Sequence, residues 1–331
     1  PSNNHVVLYT DKLNYDMEKM LLDMAPKDMN IRFLDPVIGK KGTIEEAETL
    51  LVTNFKCTAD VIDKAPYLKL IQRTGVGLDN VAVDYATKKG IPVSVSRGTN
   101  QNSVAELAVL WMLAACRSLQ ILAPLTQKGE WHTWTYRHCS STLDGRTIGI
   151  IGAGAVGREV IKRVKAFNTN VIYYDPIRMT PEKEAELGAT YYDNMDEVFK
   201  AADIVSLHLP YMPETTNLVT KKQFDLMKPN SIFINTARGP IVNQADFIEV
   251  LKSHKLQGAA VDVYYSDPSD PEDPLFKLDP SVNLVCTPHI GAATYDNYFK
   301  SFTLAINNAQ KVARGEHPDI VVNEKCWNYT K

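Results

Sequence analysis

The run Thr147-Ile148-Gly149-Ile150-Ile151, Gly152-Ala153-Gly154-Ala155-Val156-Gly157, Arg158 to Phe167, Asn170-Val171-Ile172-Tyr173-Tyr174-Asp175 decides the fold. It reads as a strand, three glycines at fixed spacing, a helical stretch, a second strand and an acid. That is the order of a dinucleotide-binding βαβ unit. Gly152 allows the tight turn off the strand, Gly154 lets a pyrophosphate approach the backbone, and Gly157 lets helix and strand pack closely. The helix start offers free N–H groups and a positive dipole end to phosphates. Asp175 lies eighteen residues after Gly157, at the second strand's end. A carboxylate there accepts hydrogen bonds from a ribose diol and repels a 2′-phosphate, so the expected cofactor is NAD rather than NADP.

Outward from this unit the same alternation continues. Downstream strands are expected at Ile204-Val205-Ser206-Leu207, Ile232-Phe233-Ile234-Asn235, Ala259-Ala260-Val261-Asp262 and Leu284-Val285-Cys286. With the opening pair they make six parallel strands, the number of a full dinucleotide fold. Upstream, strands are expected at Val6 to Tyr9, Ile31 to Leu34, Leu50 to Thr53, Leu70 to Gln72 and Val93 to Val95, with helices between them. The first hundred residues therefore read as a second, smaller α/β domain. Asn100 to Leu119 reads as one long buried helix, and 123–142 as an irregular connector whose Trp131, Trp134 and Tyr136 belong to an interface or a core. A last helix, about Tyr295 to Arg314, is expected to return to the N-terminal domain. The expected boundaries are 1–102 plus 296–331 for a discontinuous substrate domain and 103–295 for the NAD domain.

Composition excludes several classes. The chain has 331 residues, 44% hydrophobic and 23% charged, with a net charge of −3. Neither nucleic acid nor an anionic membrane is an expected partner. Val104 to Cys116, the most apolar stretch, is too short to span a bilayer. The N-terminus lacks a signal-peptide pattern, which makes the cytoplasm the expected location. Five scattered cysteines without a CxxC pair suggest neither a disulfide framework nor a metal site.

Several segments together carry a resemblance: Arg73-Thr74-Gly75-Val76-Gly77-Leu78-Asp79-Asn80, Leu143 to Gly149, the glycine turn, Thr236-Ala237-Arg238-Gly239, Gly258 to Val263 and Thr287-Pro288-His289-Ile290-Gly291. In this order, over nearly the whole chain, they resemble the D-isomer-specific 2-hydroxyacid dehydrogenases. The resemblance implies an α/β fold of two doubly wound parallel-sheet domains, a Rossmann-type NAD domain inserted into a flavodoxin-like substrate domain. It also implies stereospecific, NADH-dependent reduction of a 2-oxo acid to a D-2-hydroxy acid; the long buried helix and the aromatic connector make a homodimer the expected assembly.

A 2-oxo acid needs a partner for its carboxylate, polarisation of its carbonyl and a proton for the developing alkoxide. Arg238 suits the first two, because a guanidinium fork matches a carboxylate and stays charged. His289 suits the third, because imidazole titrates near neutrality. His208 is a core or cofactor-side histidine. The resemblance places the histidine's carboxylate partner at Asp267, where the family has glutamate; Glu272 or Asp270 would substitute in a rearranged loop. By the same resemblance Asp262 lies on the cofactor side near the nicotinamide. Ala155, Val156, Leu209, Pro210, Thr215, Thr236, Ala237 and Gly291 join the glycines and Asp175 as cofactor contacts. The turn at Val76 and Gly77 is the expected substrate carboxylate site, with Arg73 and Asn54 beside it.

Two other readings share the fold. The family resemblance extends to NAD-sensing corepressors, and to formate dehydrogenase, which has glutamine where Asp267 stands. No ordered basic cluster demands a phosphate, and a regulatory domain like those of many phosphoglycerate dehydrogenases is not expected. This favours glyoxylate, hydroxypyruvate, pyruvate or a larger apolar 2-oxo acid as substrate.

Overall fold

The computed structural model describes residues 5–266 and 268–326, and Asp267 lies outside the described residues. The chain divides into two compact units: Pro1–Asn100 with Thr294–Lys331, and Gln101–Ala293.

The first unit begins β1 Val6–Tyr9, α1 Tyr15–Met24, β2 Asn30–Phe33, β3 Thr49–Val52, α2 Ala59–Asp63, β4 Leu70–Arg73, α3 Val83–Lys88 and β5 Val93–Val95. The strands form a parallel sheet in the order β2-β1-β3-β4-β5. Side-chain alternation splits β1 between two cores: Val7 and Tyr9 join one, Leu8 the other. Both faces are thus covered, as an all-parallel sheet requires.

The second unit opens with α4 Gln101–Cys116 and α5 Leu119–Gln127. Then follow β6 Thr147–Ile151, α6 Ala155–Lys165, β7 Asn170–Tyr174, α7 Pro181–Leu187, β8 Ala189–Tyr191, α8 Met195–Ala201 and β9 Ile204–Leu207. The unit closes with α9 Lys221–Leu226, β10 Ile232–Asn235, α10 Gln244–Lys252, β11 Gly258–Val261 and β12 Leu284–Cys286. Its sheet is parallel, in the order β12-β11-β10-β9-β6-β7-β8. Seven strands therefore replace the expected six. The addition, β8, has three residues and follows the Gly188 helix cap directly, too short for a periodic signal.

The long helix is also corrected. It stops at Cys116, and α5 leaves at 69° to α4, after Ser118 adopts a left-handed backbone (φ 48°). The first part of the expected connector is thus helical, with Pro124 inside α5. Pro124 lies in the second turn, where it gives up the helical N–H bond to the Gln120 carbonyl. Trp131 and Trp134 are 83% and 75% exposed, so they are not core residues. α4 is buried against α6 and the strands β10 and β11. No single helix among the described residues is long and apolar enough to cross a membrane.

The chain then returns to the first unit through α11 Tyr295–Ala313. Phe302, Ala305, Ile306 and Ala309 cover the face of the first sheet that shows Val7, Tyr9 and Phe33. A buried polar knot fixes the register. Asn308 donates to Gln72 Oε1 (2.7 Å), Ser94 Oγ (3.0 Å) and the Asp319 carbonyl (3.1 Å), and accepts from Asp319 N (2.7 Å). Removing one member strands the others without partners. Asn308→Ala is expected to lower unfolding free energy by about 2–3 kcal/mol, measured as a fall in the urea midpoint of the first unit's transition.

Candidate active site

In the second sheet the strand order reverses at β6, whose neighbours are β7 and β9. Ligands of open α/β sheets bind beyond the strands' carboxyl ends at such a point. The glycine turn sits there. Gly152 has φ +97°, and a Cβ on it would lie 2.6 Å from the His208 carbonyl oxygen, so the ends of β6 and β9 touch through it. A Cβ on Gly157 would collide with the Gly152 carbonyl. Gly154 differs: it is exposed, and a Cβ there would meet nothing. Nothing within the fold requires its lack of a Cβ, which fits the approach of a pyrophosphate to the N-terminus of α6.

Asp175 follows β7. Its Oδ2 accepts from Ala153 N and its Oδ1 from Ile177 N, both at 2.8 Å. The carboxylate is therefore held against the glycine turn. Ala155 begins α6, and Val156 lies in its first turn. His208, after β9, shares a hydrogen bond of 2.9 Å between Nε2 and Ser206 Oγ. Burial alone lowers its pKa to about 3, so this imidazole stays neutral and is no proton donor near neutrality. His208 Nδ1 and Thr236 Oγ1 are buried, and neither has a hydrogen-bond partner among the described residues. Two such atoms at adjacent strand ends suit a polar ligand. Leu209 is buried and Pro210 exposed, and Thr215 Oγ1 donates to the Pro210 carbonyl (2.9 Å), closing their loop.

Arg238 and His289 follow β10 and β12. Asn235 shapes the Arg238 turn, donating to the Arg238 carbonyl (3.1 Å) and accepting from Ala237 N (3.0 Å). Gly239 packs directly on the Tyr264 backbone. His289 has a left-handed backbone, φ 54°. Asp262 holds that turn: Oδ1 accepts from Thr287 Oγ1 (2.6 Å) and Ile290 N (2.8 Å), Oδ2 from Gly291 N (2.7 Å). Burial raises the Asp262 pKa, and these hydrogen bonds oppose the rise. Asp262 thus has a structural task the sequence reading did not assign.

In the first unit the turn at Val76 and Gly77 follows β4. Arg73 Nε donates to the Gly77 carbonyl at 2.9 Å, so its guanidinium braces the turn. Asn54 is exposed on the turn after β3. Asp11, missed in the sequence, fixes that turn by accepting from the backbone N–H groups of Thr53 (2.8 Å), Asn54 (2.6 Å) and Phe55 (2.9 Å). Asn80 holds it from the other side, donating to the Thr53 (3.2 Å) and Phe55 (2.8 Å) carbonyls. Asp11 stands two residues past β1, at a strand's carboxyl end like the residues that were singled out. Among the described residues no group of three His, Cys, Asp or Glu is placed to hold a metal.

Comparison with known proteins agrees with this geometry. Residues 109–291 match the model of the D-isomer specific 2-hydroxyacid dehydrogenase NAD-binding domain. The chain belongs to the D-isomer specific 2-hydroxyacid dehydrogenase family. It is a family of NAD-dependent dehydrogenases, and NAD is the cofactor. The chain is 38% identical over 319 residues to D-3-phosphoglycerate dehydrogenase of Methanocaldococcus jannaschii, covering 96% of this chain but only 59% of that relative. It is 36% identical to glyoxylate reductase of Thermococcus litoralis, covering 88% of this chain and 89% of the relative. Among solved structures, D-lactate dehydrogenase of Aquifex aeolicus, complexed with NAD and lactic acid, superimposes with a TM-score of 0.80 at 27% identity. That match covers 94% of this chain and 96% of the other.

Two measurements separate the roles described above. Gly154→Ala is expected to leave the melting temperature within about 2 °C yet weaken NADH binding at least ~10-fold, whereas Gly157→Ala lowers both; NADH fluorescence titration beside thermal melts reads the difference. His208, neutral when folded, costs stability as pH falls from 6.5 toward 3, because the unfolded chain takes up the proton first. His208→Asn is therefore expected to flatten that acid limb in melts recorded across the range.

Proposed function

We propose that this protein reduces a 2-oxo acid to a D-2-hydroxy acid, and runs the reverse oxidation, at the carboxyl edge of its seven-stranded sheet. The observation that carries the reading is that Arg238 and His289 stand on the loops after β10 and β12, one to each side of β11, held by Asn235, Gly239 and Asp262, on the edge that bears the glycine turn. Bound NADH supplies the hydride. Arg238 takes the substrate carboxylate and polarises the carbonyl. His289 delivers its imidazole proton to the oxygen that becomes the hydroxyl, and takes it back in the oxidation. By the family resemblance we assign the carboxylate partner of that imidazole to Asp267, which lies outside the described residues.

The neutral state of His208 supports the choice of His289 as the acid, because both histidines follow strands of the same sheet. From the first unit we assign the Val76–Gly77 turn, Arg73 and Asn54 to the substrate. The relatives' names, phosphoglycerate dehydrogenase and glyoxylate reductase, point to small, anionic 2-oxo acids. Trp131, Trp134, Leu110 and Leu119 are large exposed apolar residues of the second unit, and they support a homodimer. Glyoxylate, hydroxypyruvate and pyruvate, tested with NADH, form the first substrate panel. His289→Asn is the variant of choice, since asparagine tolerates the left-handed backbone. It is expected to lose about two to four orders of magnitude in turnover with unchanged NADH affinity; turnover near that of the parent would refute the assignment.

A further inference from the structure

The segment after Asp175 runs Pro176-Ile177-Arg178-Met179. In dinucleotide folds that accept NADP, an arginine near the acid's position receives the 2′-phosphate. Arg178 is such an arginine by position, three residues beyond Asp175. Its guanidinium is engaged elsewhere. Nε donates to Glu184 Oε1 at 2.8 Å and Nη2 to Glu184 Oε2 at 2.9 Å, a bidentate pair. The guanidinium carbon also lies 4.9 Å from the centre of the Tyr191 ring. Such a fork is held in direction as well as charge.

Glu184 is itself fixed. It lies on α7 and accepts the Tyr173 hydroxyl proton at 2.7 Å, and that hydroxyl oxygen accepts from Met179 N at 3.0 Å. Strand β7, the 178–179 segment and α7 thus meet on one carboxylate, and Arg178 extends the link to the edge strand β8 through Tyr191. Arg178 first, then Tyr173, lowers the Glu184 pKa to about 2, so the carboxylate is charged at any working pH. Its side chain is 13% exposed, against 56% for Arg178.

We propose that Glu184 is a second determinant of cofactor choice: by holding Arg178 on Tyr191 it denies a 2′-phosphate its cation, so Asp175 rejects NADP without opposition. Asp175 supplies the repulsion and Glu184 removes the compensation. The two act on the same ligand group through different residues. The consequence is that loss of Asp175 alone weakens NADH binding without creating an NADPH site.

Direct titration of the protein with NADH and with NADPH, followed by cofactor fluorescence in the absence of substrate, tests this. Asp175→Ser is expected to weaken NADH binding and to leave NADPH weak. Adding Glu184→Gln frees Arg178 and should tighten NADPH at least about 10-fold over the single variant, the scale of one charge-assisted hydrogen bond. Adding Arg178→Ala to that pair should return NADPH to the level of Asp175→Ser. Ile177→Arg in the Asp175→Ser background gives an independent route, since Ile177 is 81% exposed and the substitution leaves the Glu184 clamp in place. It too should gain NADPH affinity. Equal NADPH affinity in Asp175→Ser with and without Glu184→Gln, in protein whose circular dichroism shows it folded, would overturn the proposal. So would tight NADPH binding by Asp175→Ser alone. If the Glu184→Gln double variant does not fold, the Ile177→Arg variant decides: no gain there refutes the need for a free guanidinium.

Discussion

The buried carboxylate of Asp262 holds the loop on which the proposed acid–base chemistry depends. It stands at the end of β11 and gathers three donors from the stretch 287–291, which belongs to the next strand's exit. Without those bonds, two backbone N–H groups would lie unpaired beside a left-handed histidine. Burial works against the charge, and the three hydrogen bonds favour it. Neighbouring exits are tied to the same point: Asp262 N donates to the Asn235 carbonyl (3.1 Å), and Gly239 rests on Tyr264. A group that passes a proton must be held to a fraction of an ångström. Here the support reaches the histidine through the backbone of the two residues that follow it, Ile290 and Gly291.

The first unit repeats the device. Asp11 takes three successive N–H groups of the turn after β3, and Glu18, buried on α1, takes those of Val37, Ile38 and Gly39. Irregular backbone cannot satisfy its own donors, so a single carboxylate does what a neighbouring strand would do in a sheet. The loops at the strands' carboxyl ends gain order without becoming regular structure. This explains how turns rich in glycine and polar residues can still present fixed side chains.

Much of this was legible in the sequence. Apolar runs separated by helical patterns gave both parallel sheets, because buried parallel strands are apolar on both faces. The glycine spacing gave the tight turn at Gly152 and the close packing at Gly157, since each acts locally, within one βαβ unit. The misses share a cause. β8 has too few residues to show a period. The break at Ser118 depends on a backbone conformation for which serine gives no warning. Asp11, Asn80 and Asp262 act on segments distant in sequence, and a polar residue after a strand looks the same whether it meets a ligand or a loop. Arg178 and Glu184 are six residues apart, yet the ring that Arg178 covers, Tyr191, lies on the strand that was not anticipated.

The return of α11 to the first sheet has a consequence for how the molecule is made. Asn308 bonds Gln72 across 236 residues, and Asn323 bonds Val93 across 230. On the ribosome, strands β1 to β5 emerge first, with the apolar face of Val7, Tyr9 and Phe33 uncovered, while the whole second unit is synthesised and has its own core to bury. Long-range closure of this kind is slow and leaves sticky surface exposed meanwhile. The first sheet is therefore completed only after the second unit has been made, and its vulnerability to aggregation lasts until α11 leaves the exit tunnel.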